Sequence, residues 1–372
     1  MMLIGTEHEY SLNRPDFSPL PESDRILSEV AGYPADETPF SGVLLGKELQ
    51  KTVIEFIPPA PARSVPELEA SLLPGLEGFY SRFGPRYTLL GLGMHPLLTL
   101  DQTSVWEHGE REYYEAYDRI FGLRQHGWLN IQALQINLSY RDNDDLVSLY
   151  NRVRALIPYL VAVTAASPFV EGKSTGLADN RLRYYRENQA RIPEICQDII
   201  PERLHSLQDY LDSLERIYGQ LRRLDGAVLC DEWVASRGLI VRFSRPCIEI
   251  KALDEQECLR SDMAVCAFVR ALLSCRDLSL EEDRDMLLEL TGKAMEKGTD
   301  ALRPELRALY RRAFRAARKD ERQYLPYIER RIEEGSLAEQ MAHEVRKAGS
   351  IREILPGLAN ALRTNEPWVR QE

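Results

Sequence analysis

Gly5-Thr6-Glu7-His8-Glu9-Tyr10 carries the alternation on which the fold class turns. On a strand, residues two apart share a face, so Glu7 and Glu9 project together while Thr6, His8 and Tyr10 point the other way. Two carboxylates held side by side repel, and a cation between them relieves the repulsion. Mg²⁺, a hard ion that takes oxygen ligands and keeps some waters, suits a one-faced pair of glutamates. A solvated edge strand with two exposed acids gives the same pattern, so both readings stand at this point.

Two further strand-like runs carry acids. Thr52-Val53-Ile54-Glu55-Phe56-Ile57 sets a single glutamate among apolar neighbours. A buried lone carboxylate is costly unless it is paired or metal-bound, so Glu55 calls for a basic partner or a cation. In Cys247-Ile248-Glu249-Ile250-Lys251, Glu249 and Lys251 share one face and the isoleucines the other. As a surface ion pair they would contribute less than ~1 kcal/mol. As a functional pair, Glu249 would face a metal and Lys251 a phosphate, where an ammonium works as a point charge. The chain has no GxxxxGK[ST] and no GxGxxG, which sets aside the ordinary P-loop and Rossmann folds. A nucleotide bound here would be held mainly through metals on a carboxylate-lined sheet.

Around these runs the chain alternates in periodicity. Short β-like runs at 2–10, 52–57, 87–91 and 129–140 are separated by Pro- and Gly-rich turns. Residues 65–83 have helical spacing through Leu68, Leu72, Leu73, Leu76 and Phe79. Residues 145–166 read as a helix in which Pro158 forces a kink or a break. The run 204–224 is the cleanest helix, apolar at every third or fourth position from Leu204 to Leu224. Strand-like runs at 239–243 and 247–253 follow, and from Ser261 onward every readable segment is helical. This order predicts an α+β fold with one main sheet. Residues 1–260 would form the sheet core and 261–372 a helical part packed on it, within a single domain.

Composition narrows the function classes. A net charge of −11, from 58 acids and 47 bases, argues against a general nucleic-acid binder, which needs a basic face. The arginine-dense segment 303–331 is the local exception. Its interleaved acids, and Leu306, Leu309, Tyr310 and Phe314 at helical spacing, make it a solvated helix face. No apolar run approaches the ~20 residues of a membrane span, and Glu7 follows the N-terminal apolar residues too closely for a signal peptide. A cytosolic protein without membrane contact is expected. Cys196, Cys230, Cys247, Cys258, Cys266 and Cys275 form no CxxC pair and are expected as buried thiols. The scattered histidines form no HxxxH pair, which sets zinc aside.

Taken in order, these stretches resemble a known family. GTEHEY (5–10) resembles the GxExE opening of the glutamate–cysteine ligase type 2 and carboxylate–amine ligase family. VIEFIPPAPARSVPELEASL (53–72) is similar to its VE-x-NTP segment and following helix, and GMHP (93–96) to its GTHP turn. NIQALQINLSY (130–140), SPFVEGKSTGLADNRLRYY (167–185) and YLPYIERRIEEGSLAEQM (324–341) look most like the plant-type and related bacterial glutamate–cysteine ligases. CIEIKALD (247–254) resembles the closing E-x-R strand. The resemblance covers nearly the whole chain. It implies a glutamine-synthetase-like fold, an antiparallel sheet forming a funnel for ATP and Mg²⁺. It also implies a ligase that phosphorylates a substrate carboxylate, such as that of glutamate, and hands the acyl group to an amine such as cysteine. By position, Glu7, Glu9, Glu55 and Glu249 would be metal ligands, and Gln135 and Asn137 would share the funnel face and contact the nucleotide. Lys251 would stabilise the transferring phosphoryl group and Arg181 would hold a substrate carboxylate.

Three positions depart from the family's patterns. Gln135 and Asn137 stand where the bacterial carboxylate–amine ligase branch usually carries histidines, and Lys251 stands where an arginine is common. Elsewhere, His95 before Pro96 reads as a turn or packing histidine, and Glu171 and Lys173 as exposed loop residues. Asp254 reads as a cap for the helix that follows. Arg183 would share the face of Arg181 if that segment were extended. A guanidino-kinase-like phosphotransferase, which wants a reactive cysteine near its acceptor, and a silent nucleotide-binding scaffold are the alternatives. Oligomeric state, homo-oligomer included, is left open.

Overall fold

The computed structural model describes residues 2–275 and 277–369. Its strands are β1 (Ile4–Asn13), β2 (Glu37–Phe40), β3 (Val43–Lys47), β4 (Val53–Ile57), β5 (Thr88–Leu90), β6 (Ala133–Ser139), β7 (Phe169–Val170), β8 (Lys173–Ser174), β9 (Leu239–Arg242) and β10 (Cys247–Asp254). All but β7 and β8, which pair with each other, form one 8-stranded sheet. Its order is β2-β3-β4-β1-β6-β10-β9, with β5 paired to the far end of β1, and every pairing is antiparallel. The α+β class and antiparallel sheet follow the expectation. Strands β2 and β3 add an edge that the sequence patterns do not mark.

β1 sits at the centre of the sheet, and all ten of its residues are buried. Behind it, Tyr10, Phe56, Phe79 and Phe83 meet in succession, edge-to-face and then tilted, with ring centroids 5.4, 5.8 and 5.3 Å apart. The last two belong to helix Val65–Phe83, whose N-terminus is capped by the Ser64 hydroxyl accepting from the Glu67 N–H. A Cβ on Gly75 would lie 2.5 Å from a Val43 methyl, so this close approach of helix to β3 requires glycine.

Helix Asn143–Thr164 packs against β10 and against helix Arg284–Lys297. It continues through Pro158 unbroken, because Leu156, Ile157, Leu160 and Val161 on either side are locked in the core. This helix is long and apolar enough to cross a bilayer by composition, yet 78% of its apolar window is buried inside the fold. It is a core helix.

The run at 204–224 forms helix Leu207–Arg223, beginning after a Ser206 capping box. From Leu259 to Thr364 every regular element among the described residues is a helix, as expected. Within the arginine-rich segment most guanidinium groups are at the surface, but Arg331 is not. It is buried and bonds Glu257, itself fully buried, at 2.5 Å. Phe314 is exposed beneath the Arg322 guanidinium rather than in the core.

Candidate active site

The register of the sheet assembles the acids. Glu9 lies directly opposite Glu55, Glu7 opposite Gln135, and Asn137 opposite both Gly5 on one side and Glu249 on the other. Cross-strand partners share a face, so Glu55, Glu9, Glu7, Gln135, Asn137, Glu249 and Lys251 form one patch across β4, β1, β6 and β10. Glu7, Glu9, Glu55 and Glu249 are at most 8% exposed, which rules out the solvated edge strand.

At one end, carboxylate oxygens of Glu9, Glu48 and Glu55 lie within 4.8 Å of one another. Among the described residues no hydrogen-bond donor reaches the Glu55 carboxylate. Burial and the charges of Glu7, Glu48 and Glu9 hold its proton affinity well above the ordinary carboxylate range. Burial, with Glu48, pushes Glu9 up to about 8, although Glu9 accepts from the Ala133 N–H at 2.8 Å and from Gln135 Nε2 at 2.6 Å. Glu7 and Glu48 are also raised, by burial first. Gly46 lies opposite Glu55 on β3, and a Cβ there would stand 2.8 Å from Glu55 Oε2. The glycine makes room for the carboxylate. Crowded carboxylates that present only oxygen, Glu55 among them with no donor, fit a hard divalent cation.

At the other end, cations dominate. Lys251 Nζ donates to Gln135 Oε1 at 2.8 Å and to Glu249 Oε1 at 2.9 Å, and Arg242 Nη1 donates to Glu249 Oε2 at 2.8 Å. Burial would raise the Glu249 carboxyl, but Lys251 and Arg242 outweigh it and hold it below the usual range. Asn137 Nδ2 and Arg245 Nη1 both donate to Glu7 Oε1 at 3.2 Å.

Arg181 is 2% exposed. Its Nε donates to Asp254 Oδ1 at 2.7 Å and its Nη2 to the Lys251 carbonyl at 3.1 Å. Asp254 therefore does not cap the next helix, whose N-cap is Cys258. It is the last residue of β10, and it also accepts from the Ala166 N–H and the Ser167 hydroxyl. Because 180–185 is helical, Arg183 points away from Arg181, exposed beside the Tyr184 ring.

A cavity of about 580 Å³ opens over Glu9 and Lys251, lined also by Arg181, Trp128, Tyr117 and Trp233. A second, of about 530 Å³, opens beside Glu7 and Asn137 and has apolar walls from Leu44, Ile57 and Pro58. The carboxylate patch lies between them.

Other expectations resolve simply. His8 is on the back face, its Nδ1 3.3 Å from Glu255 and 3.4 Å from Asp262, its Nε2 2.9 Å from the Thr6 hydroxyl. His95 is buried and accepts from the Leu97 N–H. Glu171 and Lys173 are exposed. All six cysteines are free, with Cys230 and Cys275 only half-buried. Burial pushes the Cys247 thiol up to about 12, far from the reactive thiolate that a guanidino kinase wants. Glu48, Arg242 and Arg245 join the patch without a sequence signal of their own. The period-2 rule would have reached Glu48 had β3 been recognised.

The chain has relatives of known name. The model of glutamate-cysteine ligase family 2 matches residues 3–356. An uncharacterized protein of Archaeoglobus fulgidus is 46% identical over 99% of this chain and 100% of its own length. A glutamate–cysteine ligase of Halobacterium salinarum is 32% identical over 49% of this chain and 48% of its own, so the match spans about half of each. Among solved structures, glutamate–cysteine ligase from Francisella tularensis in complex with AMP is similar at a TM-score of 0.62 and 13% identity, covering 98% of this chain and 88% of that one. A bifunctional glutathione synthetase from Pasteurella multocida gives 0.65 at 15% identity, covering 98% and 52%. At such identities the likeness is one of fold. The family match, running through the sheet and most of the helical part, decides the family: the chain belongs to glutamate–cysteine ligase family 2, and with it to the ATP-dependent ligases.

Proposed function

We propose that the protein forms an amide between a carboxylate, such as that of glutamate, and an amine, such as that of cysteine, using ATP and Mg²⁺. The γ-phosphoryl group of ATP passes to a carboxylate oxygen of the acid and ADP leaves. The amine nitrogen then attacks the acyl carbon, releasing phosphate and a proton. The observation that carries this reading is the convergence of Glu9, Glu48 and Glu55 beside Lys251 on a buried sheet face.

Phosphoryl transfer asks the protein mainly for positioning and charge. Glu7, Glu9 and Glu55, joined by Glu48, would hold Mg²⁺, which when bound offsets charge developing on the transferring group. Glu249, the fourth expected ligand, has both oxygens on Lys251 and Arg242, so a metal there must share it with them. Gln135 ties Glu9 to Lys251 and keeps both aimed at one point. Lys251 would neutralise the moving phosphoryl group, and Arg181 would hold a substrate carboxylate in the larger cavity. The aromatic wall of that cavity would keep water from the acyl phosphate. The reading takes 1–372 as one catalytic unit acting on small molecules in the cytosol.

The test is ADP release with ATP, Mg²⁺ and L-glutamate, with and without a panel of amines led by L-cysteine. Amine-dependent ADP that falls by about 100-fold or more in Glu55→Gln supports the ligase. ATP binding without ADP from any amine would leave a silent scaffold as the better reading.

A further inference from the structure

Lys251 is a single ammonium with two of its three N–H groups already engaged, by Gln135 and Glu249. A polyphosphate needs more donors than that, and the chain has no glycine-rich phosphate loop. The β9–β10 hairpin carries two guanidinium groups over the same patch. Arg242, the last residue of β9, lines the larger cavity with Glu9, Gln135 and Lys251. Its Nε donates to Glu232 Oε1 at 3.1 Å and its Nη1 to Glu249 at 2.8 Å. Its remaining N–H groups have no protein partner among the described residues. Arg245, in the turn, contacts Glu7 through Nη1 and lines the apolar cavity with Leu44, Ile57 and Cys247.

The hairpin is held in place from outside the site. Glu232 accepts from the Phe243 N–H at 2.7 Å, the Ser244 N–H at 3.2 Å and the Ser244 hydroxyl at 2.5 Å, besides gripping Arg242. The two arginines thus stand at the basic end of the carboxylate patch, one lining each cavity, with planar forks suited to phosphate oxygens.

We propose that the β9–β10 hairpin is the polyphosphate-binding element of this site. Arg245 grips the nucleotide's phosphates on the side of the apolar cavity, which takes the base. Arg242 works with Lys251 on the phosphoryl group being transferred. The assignment rests on the ligase reading and extends it to residues that neither the sequence patterns nor the relatives' names mark.

Calorimetric binding of Mg-ATP and of AMP, which shares the base but lacks the β- and γ-phosphates, tests it directly. Arg245→Gln and Arg242→Gln are each expected to weaken ATP about tenfold or more, with AMP affinity within about threefold of wild type. Arg242→Gln should also lower kcat at saturating ATP, and Arg242→Lys should restore part of it. An unchanged ratio of ATP to AMP affinity in both glutamine variants would overturn the assignment. So would equal loss of ATP and AMP, which marks a structural role. A wild-type protein that binds neither nucleotide would instead sink the ligase reading itself.

Discussion

Glu55 and His95 show two ways in which burial acts on one side chain. Glu55 is kept without a donor and crowded by other acids, a costly arrangement that a ligand must justify. Mg²⁺ should therefore raise the melting temperature of the wild type, by about 2.7 kcal/mol of stabilisation at one hundred times its Kd. Glu55→Gln should lose most of that shift in the same thermal scan. An equal Mg²⁺ response in both proteins would place the metal elsewhere. His95 has a quieter role. Burial holds its imidazole neutral, pushing its pKa down to about 3 from an ordinary 6.5. The stability it contributes is complete above 6.5 and lost as pH falls from there toward 3. The slope is at most about 1.4 kcal/mol per pH unit. His95→Gln should flatten the fall in urea stability between pH 6.5 and 4.5, and an unchanged slope would assign the acid sensitivity to other groups.

At the scale of elements, the strands that bear the patch were the most legible, and for a physical reason. β1 and β10 alternate acids with apolar or back-facing residues, so period 2 shows in the letters. β2 and β3 lack that contrast, since Pro39, Gly46 and Lys47 dilute it, and Glu48 stayed hidden behind them. The helical setting of Arg181 and the true partner of Asp254 were also hidden. Both depend on the 167–181 segment folding back onto the end of β10, a contact of long range in sequence. β3 has a function of its own through Gly46. Gly46→Ala adds a methyl against a flexible carboxylate rather than against backbone. It should fold with a melting temperature within a few degrees of wild type, yet lose about tenfold or more in kcat as Glu55 is pushed aside. Unchanged kcat would mean that Glu55 tolerates displacement.

Across the whole molecule, the helical last third bears on the site through buried charge. Glu257, just beyond β10, is fully buried and met by Arg331 from helix Leu325–Glu334. Arg331→Ala leaves that carboxylate without a counter-ion, held only by the Ser261 hydroxyl and the Trp368 N–H, and should cost about 3–5 kcal/mol in urea unfolding. A loss below about 1 kcal/mol would show that Glu257 is neutral or that these two donors suffice. The family's order of motifs, strand by strand, was readable because each acid must sit on the same face of one sheet. The hairpin arginines were not, because a surface turn and a phosphate-facing turn look alike in sequence. If this sheet transfers a phosphoryl group to a carboxylate oxygen, that oxygen must leave with the phosphate, and isotope transfer follows it. With L-glutamate labelled with ¹⁸O in its carboxylates, Mg-ATP and the amine that supports ADP release, one ¹⁸O is expected in each phosphate formed. Phosphate released without label would mean hydrolysis of ATP by water, and would contradict the acyl-phosphate ligase.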